Sequence, residues 1–212
     1  MKVDFPQSRP ISAIILAAGQ STRMELFKPL VPIGRRTPID ICVNLFKTNG
    51  IEDIVVVTGH KSGDLMPRLN ALKVRGVYNP DYRQGMFSSI ITGLKNIAPI
   101  SQGFFILPVD IPLVQPETIH AQLRRFNSRP NRIVHPCYKG RRGYPPLVPI
   151  ILKSQILVWQ ESQGFKGCMA AYDQSALNVD VPDPYILMDM DTKEAYQKIL
   201  NAYKLRHSPG IC

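Results

Sequence analysis

Three short segments of this sequence hold residues suited to handling phosphate groups. The first is Leu16-Ala17-Ala18-Gly19-Gln20-Ser21-Thr22-Arg23-Met24, followed by Lys28-Pro29. Small residues at 17 to 19 let backbone N–H groups approach phosphate oxygens, as an anion-binding nest does. Arg23 and Lys28 add two positive charges to the same stretch. The pattern is neither G-x-G-x-x-G nor G-x-x-x-x-G-K-[ST], so a dinucleotide-binding loop and a Walker A loop both fit poorly. The second segment, Leu107-Pro108-Val109-Asp110-Ile111-Pro112, sets a carboxylate between prolines, where it can hold Mg²⁺ against substrate phosphates. The third is Asp189-Met190-Asp191. In an extended chain residues i and i+2 share a face, so both carboxylates can address one metal. Each segment alone also has a plainer reading: a tight strand-to-helix turn with two surface cations, an Asp closing a turn, and helix capping by Asp191 or Thr192.

The elements that must position these residues follow from hydrophobic periodicity. Apolar runs rich in Val and Ile predict strands at Ser12–Ala17, Ile54–Thr58, Val74–Tyr78 and Phe104–Val109, with two more over Arg132–Tyr138 and Leu177–Val181. Between them, Pro38–Asn49 places Ile39, Val43 and Phe46 on one helical face and is stopped by Gly50. Ser88–Ile97 and Pro116–Phe126 also read as helices, and Thr192–Leu205 as the last, with Thr192 as its N-cap. Nearly continuous apolar strands are buried on both faces, as in a parallel sheet. Alternating strands and helices then predict a three-layer α/β fold with a mostly parallel central sheet. No linker or repeat interrupts it, so residues 1–212 read as a single domain. Ligands of such sheets bind beyond the carboxyl ends of the strands. The first two segments sit there, after the first and fourth strands.

Composition narrows the function classes. The chain has 212 residues, 44% hydrophobic and 20% charged, which excludes disorder, collagen and coiled coil. The longest apolar run, Ile11 to Ala18, falls short of the roughly 20 residues a membrane-spanning helix needs, so no membrane partner is expected. Met1 to Pro10 lacks the pattern of a secretory signal, and the cysteines at 42, 137, 168 and 212 show no paired spacing. A cytoplasmic location is therefore expected, with neither disulfides nor a zinc site, and Cys137 and Cys168 read as small core residues. The Trp159 run from Ile156 also reads as core. The 26 Lys and Arg against 16 Asp and Glu give a net charge of +10, which favours anionic partners. The basic residues are spread in small clusters, Arg35–Arg36, Arg124–Arg132 and Lys139–Arg142, without an RNA-binding signature. A nucleotide or phosphorylated substrate is expected rather than nucleic acid.

The three segments, in this order, resemble the nucleotidyltransferases of the molybdenum cofactor type, and the resemblance covers nearly the whole chain. The family opening Leu-Ala-Ala-Gly-x-Ser-x-Arg-Met-Gly-x-x-Lys is matched from Leu16 to Lys28, with Glu25 in place of Gly. Further matches are Val57-Thr58-Gly59-His60, Asn79-Pro80-Asp81-Tyr82 with Gly85-Met86 and Ser88-Ser89, and Pro108 to Val114. Gly140-Arg141-Arg142-Gly143-Tyr144-Pro145 resembles the family's Gly-Arg-Arg-Gly-His-Pro, with Tyr144 replacing His, and Met188 to Thr192 resembles its Asp-Ile-Asp-Thr-Pro segment. Position 18 is Ala, as in the cytidylyltransferase branch, where the guanylyltransferase loop usually has Gly.

The resemblance implies a Rossmann-like nucleotidyltransferase fold and a reaction in which a phosphate monoester attacks the α-phosphorus of a nucleoside triphosphate and releases pyrophosphate. It implies Arg23, Lys28 and Asp110 as catalytic residues. It places Leu16, Ala17, Ala18, Gly19, Ser21, Arg23, Lys28, Gly59, Asn79 and Ser88 at the nucleotide, and Arg142, Gly143 and Tyr144 at the acceptor. Asp110 with Asp191, or with Asp189 in its stead, would hold Mg²⁺ or Mn²⁺. CTP is expected over GTP, because a methyl at position 18 crowds a purine. The acceptor is expected to be a phosphorylated small molecule of the molybdopterin kind, with a molybdoenzyme or its chaperone as the protein partner. His60 is expected to support the structure or flank the base. Two alternatives stay open: a sugar-phosphate or other small phospho-acceptor nucleotidyltransferase, and a non-catalytic nucleotide-binding protein, because Glu25 and Tyr144 depart from the pattern.

Overall fold

The seven residues of β1 (Ile11–Ala17) are buried throughout, because helices cover both faces of the strand. The computed structural model describes residues 10–20, 24, 26–160 and 164–207. Alternate β1 side chains divide between two cores. Ala13, Ile15 and Ala17 meet Ile39, Val43 and Phe46 of α1 (Pro38–Thr48), Leu65 and Leu69 of α2 (Ser62–Ala71), and Ile119 and Phe126 of α4 (Pro116–Ser128). Ile14 and Leu16 face the other way, onto Ile90 and Leu94 of α3 (Met86–Asn96), Ile156 of α5 (Lys153–Leu157) and Cys168 of α6 (Gly164–Ala170). Helix, sheet and helix make the three layers.

Strands β2 (Asp53–Thr58), β3 (Arg75–Tyr78) and β4 (Gly103–Pro108) run parallel to β1 in the order β3-β2-β1-β4. The chain moves outward from β1 through β2 to β3, then crosses to β4 on the far side. The order therefore reverses between β1 and β4, and a crevice opens at their carboxyl ends. The register aligns those ends: Ala17 pairs with Thr58, and Leu16 with Pro108. Beyond β4 lie β7 (Leu147–Pro149), antiparallel to it, then β5 (Val134–Tyr138), which carries both the short β6 (Arg141–Arg142) and the parallel β8 (Leu177–Asp180). The sheet is mostly parallel, as the apolar runs predict.

Several expected boundaries move. The helix predicted from Ser88 begins at Met86, because Gly85 at φ +100° turns the chain into it. Helix α2 was not predicted: Pro67 lies inside it, and only Leu65 and Leu69 are buried. The run from Ile156 to Trp159 is not uniformly core, since Ile156 is buried and Val158 is exposed. Cys137 and Cys168 are buried, as expected of small core residues. Thr192 does cap the last helix, α7 (Lys193–His207), its hydroxyl accepting from the Ala195 N–H. Among the described residues, no helix is long and apolar enough to cross a membrane.

One buried titratable group makes the fold pH-sensitive. Burial of His135 on β5, reinforced by the charge of Arg142 and opposed by Asp173, pushes its pKa from 6.5 down to about 4. Below pH 6.5 the unfolded chain takes up a proton that the folded chain refuses, so stability falls between about 6.5 and 4 and levels off below. The difference corresponds to about 2–4 kcal/mol. Urea unfolding of the wild type and His135→Gln at pH 7 and pH 4.5 should show a smaller acid loss in the variant by about that amount. Equal losses would contradict the assignment.

Candidate active site

Because the ends of β1, β2 and β4 are in register, the loops that follow them are bound to each other. The His60 N–H donates to the Ala18 carbonyl, and the Val109 N–H to that of Leu16. Between the loops lies a cleft of about 360 Å³. One wall is Leu16 to Gln20, the floor is Pro108 to Asp110 with Lys28 and Pro29, and the opposite wall runs from Tyr82 through Met86 to Ser89. Gly19 is exposed, and nothing lies within 4 Å of where its Cβ would be. A ligand can therefore come close to the backbone at Gly19.

Lys28 leaves the wall on a single helical turn, Lys28–Leu30, and is only 8% exposed. Its ammonium donates to Asp110 Oδ2 at 3.1 Å and to Asp191 Oδ1 at 2.6 Å. Burial alone would lower the Lys28 pKa; the Asp191 hydrogen bond and the Asp110 charge outweigh it and hold the pKa above the ordinary value. Asp110 is pushed up by burial, pulled back by Lys28, and pushed up again by Asp191 and Asp189. Lys28 thus stands between two carboxylates that hold it charged, and it holds Asp110 down against the effect of burial.

A third core cluster holds these charges in place. Met24 of the opening loop and Met190 are both fully buried against Val31, Ile33, Leu113 and Ile199. Met190 also donates its N–H to the Asp110 carbonyl at 3.0 Å. Fixed between them, Met190 turns Asp191 toward Lys28. The Asp189 carboxylate folds back to accept the Asp191 N–H at 3.2 Å. Oxygen donors of this kind suit a small hard cation such as Mg²⁺ or Mn²⁺, which takes one or two carboxylates and completes its shell with phosphate and water. The described residues contain no cluster of three or more metal-ligating side chains.

The far wall rests on Gly59. A Cβ there would lie 2.7 Å from the Tyr82 ring and 2.8 Å from the Ala18 carbonyl, so only glycine lets the ring close against the loop. Asn79 and Ser88, expected at the nucleotide, do not line the cleft. Asn79 is buried, donates to Ser88 Oγ at 2.9 Å and Ser89 Oγ at 3.0 Å, and accepts from the Asp81 N–H. Ser88 spends its own proton on the turn, facing the carbonyls of Asp81 and Gly85. Both shape the wall from behind. Tyr82, Arg83, Met86 and Ser89 form its surface. The motif around Asn79 and Gly85 pointed to three of these; nothing in the sequence pointed to Arg83. The His60 ring stands edge-on to Phe27 at 6.4 Å and supports the loop.

The expected acceptor loop meets the site only in part. Arg142 is held by Asp173 and by Asn178 Oδ1, away from the cleft-lining residues. Gly143 donates to Pro136, and a Cβ on it would overlap the Ile186 carbonyl. Tyr144 donates its N–H to that same carbonyl at 2.9 Å, and its side chain is half-buried. Burial raises the Tyr144 pKa, and the Asp110 charge raises it further, so the phenol lies within electrostatic reach of the site. Ser21, Arg23 and Glu25 lie outside the described residues.

Gly59→Ala should cost about 1–3 kcal/mol of stability, because the Tyr82 ring must move. Removing the whole side chain as well, in Gly59→Ala/Tyr82→Gly, should bring the penalty of the methyl below that of the single variant in a double-mutant cycle, since the contacts at 2.7 Å are to the Tyr82 Cβ and ring. A Gly59→Ala protein as stable as the wild type in urea would contradict the packing.

Residues 13–176 match the family model described as a MobA-like NTP transferase domain. The molybdenum cofactor cytidylyltransferase of Escherichia coli (strain K12) is 25% identical over 190 residues, covering 88% of this chain and 93% of that protein. A probable molybdenum cofactor guanylyltransferase of Natranaerobius thermophilus is 26% identical over 144 residues, 68% of this chain and 67% of that one. The fold is shared with a nucleotidyl transferase from Methanothermobacter thermautotroptrophicus, at TM-score 0.77 and 23% identity over 92% of this chain and 98% of the other. This chain belongs to the MobA-like NTP transferase family and is a nucleotidyltransferase.

Proposed function

We propose that this enzyme transfers CMP from CTP to a phosphorylated small molecule of the molybdopterin kind, with release of pyrophosphate. The observation that carries the reading is the buried Lys28 ammonium shared by Asp110 and Asp191 at the floor of the cleft. A phosphate monoester oxygen is already ionised near neutral pH, so attack on the α-phosphorus needs no strong base. The new bond joins the acceptor oxygen to the α-phosphorus, and the bond from that phosphorus to the oxygen bridging it to the β-phosphorus breaks. The chain's task is to align two polyanions and offset their charge.

In this reading Asp110 and Asp191 hold Mg²⁺ or Mn²⁺, which supplies charge neutralisation at the phosphates when bound. Asp189, turned onto the Asp191 N–H, orients that ligand. Lys28, with Arg23, offsets the charge that builds on the departing pyrophosphate. Leu16, Ala17, Ala18, Gly19 and Ser21 form the loop around the nucleotide; Gly59, Asn79 and Ser88 shape its opposite wall. On the acceptor side, the reading rests on Tyr144, whose phenol feels the Asp110 charge. Arg142 and Gly143 hold its loop, the first through Asp173 and Asn178, the second by letting the backbone close on Ile186. The Escherichia coli relative, by its printed name a cytidylyltransferase for the molybdenum cofactor, supports both the base and the acceptor.

Asp110→Asn should lower pyrophosphate release from CTP and a phosphorylated acceptor by about 10²–10³-fold while cooperative unfolding persists. Undiminished turnover would remove Asp110 from the mechanism. Base choice is tested separately. With CTP and GTP competing in one reaction, CTP should win by about 10-fold or more, and Ala18→Gly should narrow the ratio. Equal use of the two by the wild type would mean that position 18 does not select the base.

A further inference from the structure

We propose that Lys28 is a resident counter-ion that closes the Asp110–Asp191 pair against metal until a triphosphate draws it away. The inference rests on the reading of those two carboxylates as the metal-holding pair. A carboxylate oxygen that already accepts from an ammonium has less negative charge to offer a divalent ion. The Lys28 nitrogen lies 2.6 Å from Asp191 Oδ1 and 3.1 Å from Asp110 Oδ2, so it stands where a divalent ion bridging the pair would stand. A magnesium ion takes its oxygens at about 2.0–2.1 Å, so to use Asp110 Oδ2 and Asp191 Oδ1 it would displace the ammonium now bonded to them.

Lys28 does not leave this place without a new partner. It is 8% exposed, and an ammonium stripped of water needs an anion beside it. Lys28 lines the cleft together with Asp110 and the Ala18–Gly19 backbone, so the cleft is open to its ammonium. A triphosphate entering that cleft brings the anionic oxygens that Lys28 requires. Lys28 then turns from the carboxylates to the phosphates, and the carboxylates are left with negative charge to offer a metal. Metal and nucleotide thus favour each other through one side chain, and by linkage each raises the other's affinity by the same factor. Without nucleotide the site holds its own cation and stays closed to the divalent ion.

The test is the affinity of Mn²⁺ for the whole chain without nucleotide, read from the free-ion electron paramagnetic resonance signal. Lys28→Met and Lys28→Gln should each bind Mn²⁺ at least tenfold more tightly than the wild type, and Asp191→Asn added to either should erase the gain. Using two substitutions guards against one that disturbs folding, which thermal unfolding reports. If both folded variants bind Mn²⁺ no better than the wild type, while Asp110→Asn still weakens binding, Lys28 is not a competitor and the inference falls although the metal site stands. If neither Asp110→Asn nor Asp191→Asn alters Mn²⁺ binding in any background, the metal site itself is misassigned and the inference falls with it.

Discussion

A buried ammonium shared between two carboxylates is the constraint around which this structure is arranged. Neither sign of charge is comfortable alone at the floor of the cleft: Lys28 has too little water, and Asp110 is raised by burial and by the neighbouring acids. Each needs the other at hydrogen-bonding distance. Meeting that need requires the opening loop, the end of β4 and the chain before α7 to be fixed together. Met24 and Met190 achieve this by burying themselves in one apolar cluster, so the charges above them inherit its rigidity.

The sheet divides the work. The parallel order β3-β2-β1-β4 creates the crevice and presents the first loop beside Asp110. Between β6 and β7, Tyr144 is tied to Ile186, whose carbonyl accepts the Tyr144 N–H. Ile186 is itself held through Asp183, a carboxylate 2% exposed that takes hydrogen bonds from Gln115, Thr118 and the Tyr185 N–H. Thus the start of α4, the Tyr144 loop and the chain at 183–186 are bonded to one another.

Elements with strong local signals were legible in the sequence. The apolar runs of β1, β2 and β4 and the amphipathic face of α1 gave parallel strands and helices at nearly the right residues, since burial on both faces leaves little choice of side chain. Helix α2 was not legible: Pro67 removes a backbone donor, and its buried face is only Leu65 and Leu69. The three-residue β7, set among prolines 145, 146 and 149, offers no period to read. At the site, residue types after the first and fourth strands pointed to Lys28 and Asp110, and the spacing of Asp189 and Asp191 pointed to Asp191. Their direct pairing was out of reach, because the partners of Lys28 lie 82 and 163 positions away. The same holds for Arg142, whose partners Asp173 and Asn178 come from another part of the chain, and whose charge the sequence left free to face an acceptor. Distance along the chain, rather than ambiguity of residue type, set the limit.

The central claim is that the Asp110–Asp191 pair is the metal-dependent centre of nucleotidyl transfer. The most direct measurement is a crystal structure of the enzyme with Mn²⁺ and a CTP analogue that cannot be cleaved between the α- and β-phosphates, with the metal located by anomalous scattering. The account predicts an anomalous peak between Asp110 and Asp191, triphosphate oxygens beside the Ala18–Gly19 backbone, and the Lys28 ammonium turned onto those oxygens. A nucleotide bound in the cleft with the metal elsewhere, and Lys28 still bridging both carboxylates, would contradict it.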